Sequence, residues 1–478
     1  MEDLPRAADD VVLNAPPPSI DTEPEEETTM KTEPTDESDV TVKLESTDLP
    51  VKPEPTDVKT EKIEEGEEEE EEEDTQPSIL SSRSNSISQR TLTPEEEEKV
   101  RAIAAACEAG NREKVVEAAI TKDGLICDRV RREAWPFLLG SRNSTNGSLS
   151  EKRRDWRDLP PHVDEDQVKL DVNRSFIYYP TNMTPRQLEQ RKKQLLELIV
   201  EVLRRHPMLG YFQGFHDICQ LILLVLGPVL AVPAVEHIAL LRIRDFMLPE
   251  MAPAIDHLFL LYPLLKAEHP KLCAHISNTQ PFFALAATLT LYAHEIQEYS
   301  NIARLFDAFL ALDPVFPLYL FAQIIISRST ELFSIPEDEP EMLHSILSHL
   351  PKPLDLETWI TQAIQLLKSR PPESLSYWHC VSYLSVLKTS KKHSSLKEAE
   401  ILFKKHCRQL EFRKKKKEVL VKLNKNKGTV LFVGVSVLVG VGGVVWGVWG
   451  RRMGIAAAWD MPGVAILWGL VKAVRAWA

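Results

Sequence analysis

Residues 184–207 read Thr184-Pro-Arg-Gln-Leu-Glu-Gln-Arg-Lys-Lys-Gln-Leu-Leu-Glu-Leu-Ile-Val-Glu-Val-Leu-Arg-Arg-His206-Pro207. The stretch carries its own start and stop signals. Thr184 is an N-cap residue, Pro185 fits the first helical position, and Gln187 completes a capping box. Leu188, Leu195, Ile199, Val202 and Leu203 recur with the 3.6-residue period until His206-Pro207 ends the helix. A second box, Thr93-Pro94-Glu95-Glu96, opens another helix through about Ala109.

Between and beyond these two starts the same period persists. Ile218–Leu226, Ala234–Leu248, Phe282–Ala293, Ile302–Leu312 and Leu318–Ile326 read as apolar helical segments, several separated by proline. Many are apolar on more than one face, which suits helices buried in a large bundle or array. No run alternates with period two for long enough to make a sheet, so the ordered body reads as all-α.

Charge divides the chain. Residues 1–92 carry 8 Lys/Arg against 28 Asp/Glu, and the other 386 residues carry 49 against 43. The acidic balance therefore belongs to the arm and not to the body. The arm has no aromatic residue and contains an unbroken Glu67–Glu73 run closed by Asp74. It has too little apolar surface to offset the entropy of ordering and reads as disordered. Like-charge repulsion argues against nucleic acid or anionic lipid as its ligand. Within it Met30-Lys-Thr-Glu33, Val42-Lys-Leu-Glu45, Val51-Lys-Pro-Glu54 and Val58-Lys-Thr-Glu61 repeat one tetrapeptide. These resemble acceptor sites for a small ubiquitin-like modifier at Lys31, Lys43, Lys52 and Lys59. A low-complexity tract would also generate them by chance. Ser81–Ser88 is a candidate phosphorylation stretch.

The six cysteines form no Cys-x-x-Cys pair, which argues against a zinc cluster or disulfide frame and for a reducing compartment. His379-Cys380 and His406-Cys407 are adjacent pairs that a helix would splay about 100° apart. No apolar segment at the N-terminus suggests a secretory signal. Residues 404–427 hold 11 Lys/Arg against Glu411 and Glu418, and the uncharged run Thr429–Gly450 follows. Twenty-two residues make roughly 33 Å of helix, enough for a bilayer core. The basic flank places the body on the cytosolic side, and the 28 residues that follow imply insertion as a tail anchor. A buried soluble helix is the competing reading. Val464–Trp477, with Lys472 and Arg475, suits the far interface rather than a second span.

Two strings carry the chemistry: Val168-Lys-Leu-Asp171-Val-Asn-Arg174 and Tyr211-Phe-Gln213-Gly214. By spacing alone, Asp171 and Arg174 are a helical i, i+3 pair of the kind usually found exposed, and Gln213 is a loop amide before a helix. Four stretches in order, however, resemble the TBC domain of Rab GTPase-activating proteins. Gly124–Gly140, with its Arg and Trp135, resembles the opening signature. Val168–Arg174 is similar to Ile-x-x-Asp-x-x-Arg, Tyr211–Gly214 matches Tyr-x-Gln-Gly, and Arg304-Leu-Phe-Asp307 resembles Arg-x-x-Asp. The likeness runs from about residue 100 to 370. The extended string Tyr211-x-Gln-Gly-x-His-Asp217, with a C-terminal span, is most like members anchored in the endoplasmic reticulum.

The resemblance implies a TBC-type helical array over residues 93–375. It is preceded by the acidic arm (1–92) and followed by a helical, basic juxtamembrane linker (376–428), a transmembrane helix (429–450) and a short lumenal or interfacial tail (451–478). It implies that Arg174 is an arginine finger and Gln213 a glutamine finger, lent in trans to a GTP-loaded Rab. GTP and Mg2+ would be carried by that partner, with no cofactor bound by this chain. Asp171 would hold the guanidinium, Tyr211 would pack, and Gly214 would let the partner's backbone approach. The implied setting is the cytosolic face of the endoplasmic reticulum or early Golgi, on Rabs of early secretory traffic. A catalytically idle TBC scaffold and a membrane-tethered docking protein that binds an adaptor are the alternatives. One departure is the stretch Phe283–Tyr292, which lacks the tryptophan many TBC domains carry there and puts local packing and Rab choice in question.

Overall fold

The computed structural model describes residues 91–142, 154–392 and 395–425, together with 436, 438, 440–443 and 449. Among the described residues there is no strand. The chain folds into α1 (Pro94–Glu108), α2 (Arg112–Ile120), α3 (Asp128–Leu139), α4 (Glu165–Asn173), α5 (Pro185–Arg205) and α6 (Phe215–Leu241). It continues through α7 (Ala252–Leu258), α8 (Leu261–Glu268), α9 (Pro270–His275), α10 (Leu285–Leu289), α11 (Tyr299–Ala311) and α12 (Phe316–Ser327). The last are α13 (Ser329–Phe333), α14 (Pro340–Leu347), α15 (Leu356–Ser369), α16 (Val386–Thr389) and α17 (Leu396–Lys425).

Both capping boxes form. Thr93 and Thr184 accept from the amides of Glu96 and Gln187, whose side chains return to the cap amides at 2.9 Å. The α5 stripe buries Leu195, Leu198, Ile199, Val202 and Leu203 against α6. Helix α6 is the axis of the body. It also packs on α3 and α17, and most of it is inaccessible to solvent. It is the one described helix long and apolar enough to cross a bilayer, but its burial makes it a core helix.

Two departures from the sequence reading have local causes. The expected break after Leu226 is present at Gly227, with φ 74° and ψ 168°, where Pro228 removes an amide donor, but the segment after it departs from the reading. Arg132 compensates by donating from Nε to the Val225 carbonyl at 2.9 Å. The second half ends at Leu241 rather than Leu248, with Arg242 as its C-cap at φ −123° and ψ −42° and a 3-10 turn over Arg244–Met247 after it. Arg242 donates to the carbonyls of Leu310 and Leu312 at the end of α11. Arg244 donates to Leu384 O and Thr389 Oγ1 at 2.8 and 2.7 Å. Burial pulls the Arg242 pKa down to about 10. The second departure is Phe282–Ala293, which is a 3-10 turn, the short α10 and further turns. Near its end Tyr292 is one of its buried aromatic residues. It is fully buried, donates to Pro317 O at 2.9 Å and stacks on Phe309 at 5.7 Å.

The expected linker is only partly one. Val381, Leu384 and Val386 are buried, and α17 seats Ala399, Phe403, His406 and Leu410 in the body. From Glu411 to Lys422 the helix is exposed, in keeping with its run of lysines. His379 and Cys380 lie in a turn, not a helix, so they do not diverge: Sγ is 3.3 Å from Nε2. All six cysteines are free. The acidic arm, its repeated tetrapeptides, Ser81–Ser88 and residues 451–478 lie outside the described residues, as does most of Thr429–Gly450. Of that run Ser436, Leu438, Gly440–Gly443 and Trp449 are helical and exposed.

Candidate functional site

A buried ionic hub ties α3 to α11. Asp307 on α11 is fully buried and accepts from Arg131 Nε and Nη2, both at 3.0 Å, from Trp135 Nε1 at 2.8 Å and from the Leu125 amide at 2.9 Å. Four donors on one carboxylate balance the cost of its desolvation. Arg304, one turn earlier, forks onto Glu357 of α15 at 2.6 and 3.0 Å and reaches the carbonyls of Ala119 and Thr121. The opening signature and the Arg-x-x-Asp helix are thus two halves of one structural joint. Gly124 belongs to it: a Cβ there would lie 2.5 Å from Asp307 Oδ2, and its φ is +52°.

The two strings read as finger motifs come together in the structure. Arg174 terminates α4 as its C-cap and is exposed, with no side-chain hydrogen bond or ion pair to any described residue. Gln213 is exposed in the turn before α6, and its amide is likewise unpartnered among the described residues. What joins the strings is Tyr211. Its hydroxyl donates to Asp171 Oδ2 at 2.7 Å, and its backbone amide donates to Asp164 Oδ2 at 2.9 Å. Its ring meets Phe215 edge-on at 6.3 Å.

This arrangement corrects the role expected of Asp171. It does not hold Arg174. It is 3% exposed and turns inward with Val168 and Val172, accepting from Tyr211 and from Gln167 Nε2 at 3.1 Å. Arg174 is the C-cap of α4, outside its helical turns at φ −96° and ψ 5°, and its side chain is exposed, so the carboxylate fixes the neighbouring loop instead of the guanidinium. Gly214 is corrected too. It caps α6 at φ +100°, and a Cβ would lie 2.5 Å from Thr290 Cγ2. The absence of a side chain serves the fit against the 284–293 segment.

Sequence reasoning missed the other groups that hold these strings. Gln220 Oε1 on α6 accepts from the Phe176 amide at 2.8 Å, fastening the chain just after Arg174 where Phe176 has φ +64°. A single amide within the apolar Ile218–Leu226 run was the available signal. Gly210 donates to Met247 O at 2.9 Å, and the 206–214 loop begins at buried His206, whose Nδ1 lies 3.0 Å from Glu400 of α17. His216 Nδ1 lies 3.2 Å from the Tyr211 hydroxyl, and its Nε2 lies 3.3 Å from Asp217 Oδ1. Asp217 Oδ2 is 3.0 Å from His294 Nδ1.

Burial pushes the His216 pKa down. Asp217 and Asp171 oppose the shift, while the charges of His294 and Arg174 add to it. Arg174 therefore lies within electrostatic reach of His216 at the start of α6. His294 is raised by its bond to Asp217. Burial and then Asp171 drive the Tyr211 phenol far above its ordinary value, so it serves as a donor and not as an acid. The arrangement therefore offers a cation and an amide, both free at the surface and both fixed from below.

Residues 128–333 match the Rab-GTPase-TBC domain. TBC1 domain family member 20 of Mus musculus is 35% identical over 260 residues, covering 54% of this chain and 63% of its own length. The GTPase-activating protein gyp10 of Schizosaccharomyces pombe is 31% identical over 266 residues, covering 53% of this chain and 67% of its own. The chain thus spans less than two thirds of the mammalian relative. The solved Ypt/Rab-GAP domain of Gyp1p superposes with a TM-score of 0.46 at 16% identity, covering 57% of this chain and 99% of that one. This chain belongs to the Rab-GTPase-TBC domain family.

Proposed function

We propose that this chain is a GTPase-activating protein for Rab GTPases and that Arg174 and Gln213 are its two fingers. The observation that carries the reading is the pairing of two exposed, unpartnered side chains on strings locked together by the Tyr211–Asp171 bond. Hydrolysis of GTP spreads negative charge over phosphoryl oxygens, and catalysis is largely positioning and charge stabilisation. A guanidinium stays charged and forks onto two oxygens, which an ammonium cannot do. The Gln213 amide accepts from the attacking water and donates toward the phosphoryl oxygen. Nucleotide and Mg2+ are the partner's. Tyr211, Asp171 and Asp164 hold the glutamine loop, and Gln220 holds the arginine end.

In this reading the run 429–450 is a single membrane span that keeps the body on the cytosolic face of the endoplasmic reticulum, on Rabs of early secretory traffic. The uncharged composition of the run and its basic flank support the span. Confining activator and lipid-anchored Rab to one membrane raises their effective concentration.

The test is single-turnover GTP hydrolysis by a panel of purified Rabs. Arg174→Ala should lower the stimulated rate by about 10³-fold or more, with Arg174→Lys rescuing little and Gln213→Ala similarly severe. Binding of the Rab should persist in all three. Near-full activity of Arg174→Ala on the best substrate refutes the finger assignment. Release of the full chain from membranes by carbonate refutes the span.

A further inference from the structure

Helix α17 carries two stripes. Ala399, Phe403, His406 and Leu410 step along it by four, three and four residues and are buried in the body. Ile401, Lys405, Arg408, Phe412, Lys415, Val419 and Lys422 follow the same rhythm two residues later, and every one is exposed. Two residues turn a helix through about 200°, so the second stripe looks away from the body. It holds four basic side chains and no acidic one. Those four make no ion pair among the described residues, and Glu411 and Glu418 lie off the stripe. Ile401, Phe412 and Val419 stand between them at 52%, 70% and 54% exposure. Scattered apolar residues at a surface are ordinary, but three in register with a basic row are the pattern of a helix that rests in lipid headgroups. There the apolar side chains enter the acyl boundary while the lysine and arginine stems bend back to the phosphates.

We infer that this outward face of α17 lies on the surface of a bilayer rich in anionic phospholipid. Position and chemistry choose the occupant. Only three residues separate Lys425 from Thr429, the start of the uncharged run, so the helix end stays within about 14 Å of it. Over residues 404–422 nine Lys/Arg face two Glu, and each basic side chain near an anionic surface favours contact about fivefold. The acidic arm of this chain matches that charge, but Glu67–Asp74 has no apolar side chain to cover Phe412 or Val419. The inference rests on the membrane span proposed above and adds to it a second, charge-dependent contact. Because α17 is also seated in the body through Phe403 and Leu410, that contact would fix how the body stands over the membrane.

The experiment reconstitutes the full chain in vesicles of phosphatidylcholine, alone or with about 30% phosphatidylserine, and follows acetylation of single lysines by mass spectrometry. Lys405 and Lys415 should react about fivefold or more slowly in the anionic vesicles, and about 0.5 M NaCl should erase most of the difference. Lys417, two residues from Lys415 and so on the opposite side, and exposed Lys271 of α9 should change by less than about twofold. Phe412→Asp with Val419→Asp should bring Lys405 and Lys415 to that same level. Both substituted sites are exposed, so the melting temperature should match wild type. Equal protection of Lys415 and Lys417, or protection of neither, refutes the contact. Protection of equal size in both kinds of vesicle that vanishes on deletion of residues 1–92 gives the face to the acidic arm and refutes it as well. Carbonate resistance is read on the same vesicles. Release of the chain refutes the span, and an inserted chain without face-specific protection refutes the contact alone.

Discussion

Tyr211→Phe removes one oxygen from the joint between the two finger strings, and the structure sets the size of the effect. The lost bond is 2.7 Å long and ends on a carboxylate that is 3% exposed. Hydrogen bonds to charged groups contribute about 1.5–3 kcal/mol. Asp171 keeps its Gln167 donor, and His216 Nδ1 lies 3.9 Å away. Both soften the loss, so about 1–2 kcal/mol of stability should go. Asp171→Ala removes the same bond from the other side, and the double variant should cost less than the sum, with a coupling of about 1 kcal/mol. Urea unfolding of the four proteins measures this. The catalytic cost should be larger, because Gln213 sits two residues beyond the lost anchor and small misplacements are expensive in a positioned site. A fall of about 10- to 100-fold in single-turnover rate, with Rab binding unchanged, is expected. Coupling below about 0.3 kcal/mol, or a Tyr211→Phe protein with full rate, would show that the bond does not hold the glutamine loop.

Asp307→Ala should be far more damaging and without catalytic selectivity. It leaves Nε and Nη2 of buried Arg131 and the Trp135 indole without their acceptor, with Asp128 alone still on Nη1, at a cost of about 3–5 kcal/mol, visible as a collapsed urea midpoint or insoluble protein. Stability should fall on mild acidification. His406 is buried, and desolvation holds its folded pKa below the ordinary 6.5. The unfolded chain therefore takes up the proton first, and stability is lost as pH drops below about 6.5. His406→Leu should flatten that dependence when urea midpoints at pH 7.5 and 5.5 are compared. Truncation after residue 400 should lower the melting temperature sharply, since it removes buried Phe403, His406 and Leu410, while truncation after Lys425 should not.

Much of the helical pattern was legible in the sequence because helix signals are local. A capping box acts within four residues and an apolar stripe within a few turns, so α1, α5, α11 and α12 could be read directly. The finger strings were legible as strings for the same reason. The end of α6 at Leu241 was misjudged: Arg242 leaves the helix there and donates to the Leu310 carbonyl of α11. Nothing in residues 227–248 announces α11 as that partner.

By itself the sequence determined the all-α body, the division of charge between arm and body, and which residue types could meet a phosphate. Only the tertiary structure decided which way each side chain faces and what it holds. Asp171 and Arg174 are three residues apart, yet one is buried against Tyr211 and the other stands free, because α4 has one face against α5 and α6 and the other in solvent. Gly214 yields to Thr290, 76 residues away, and Gln220 fastens Phe176 across 44. Such pairings depend on how the helices pack, and a spacing along the chain carries no record of them.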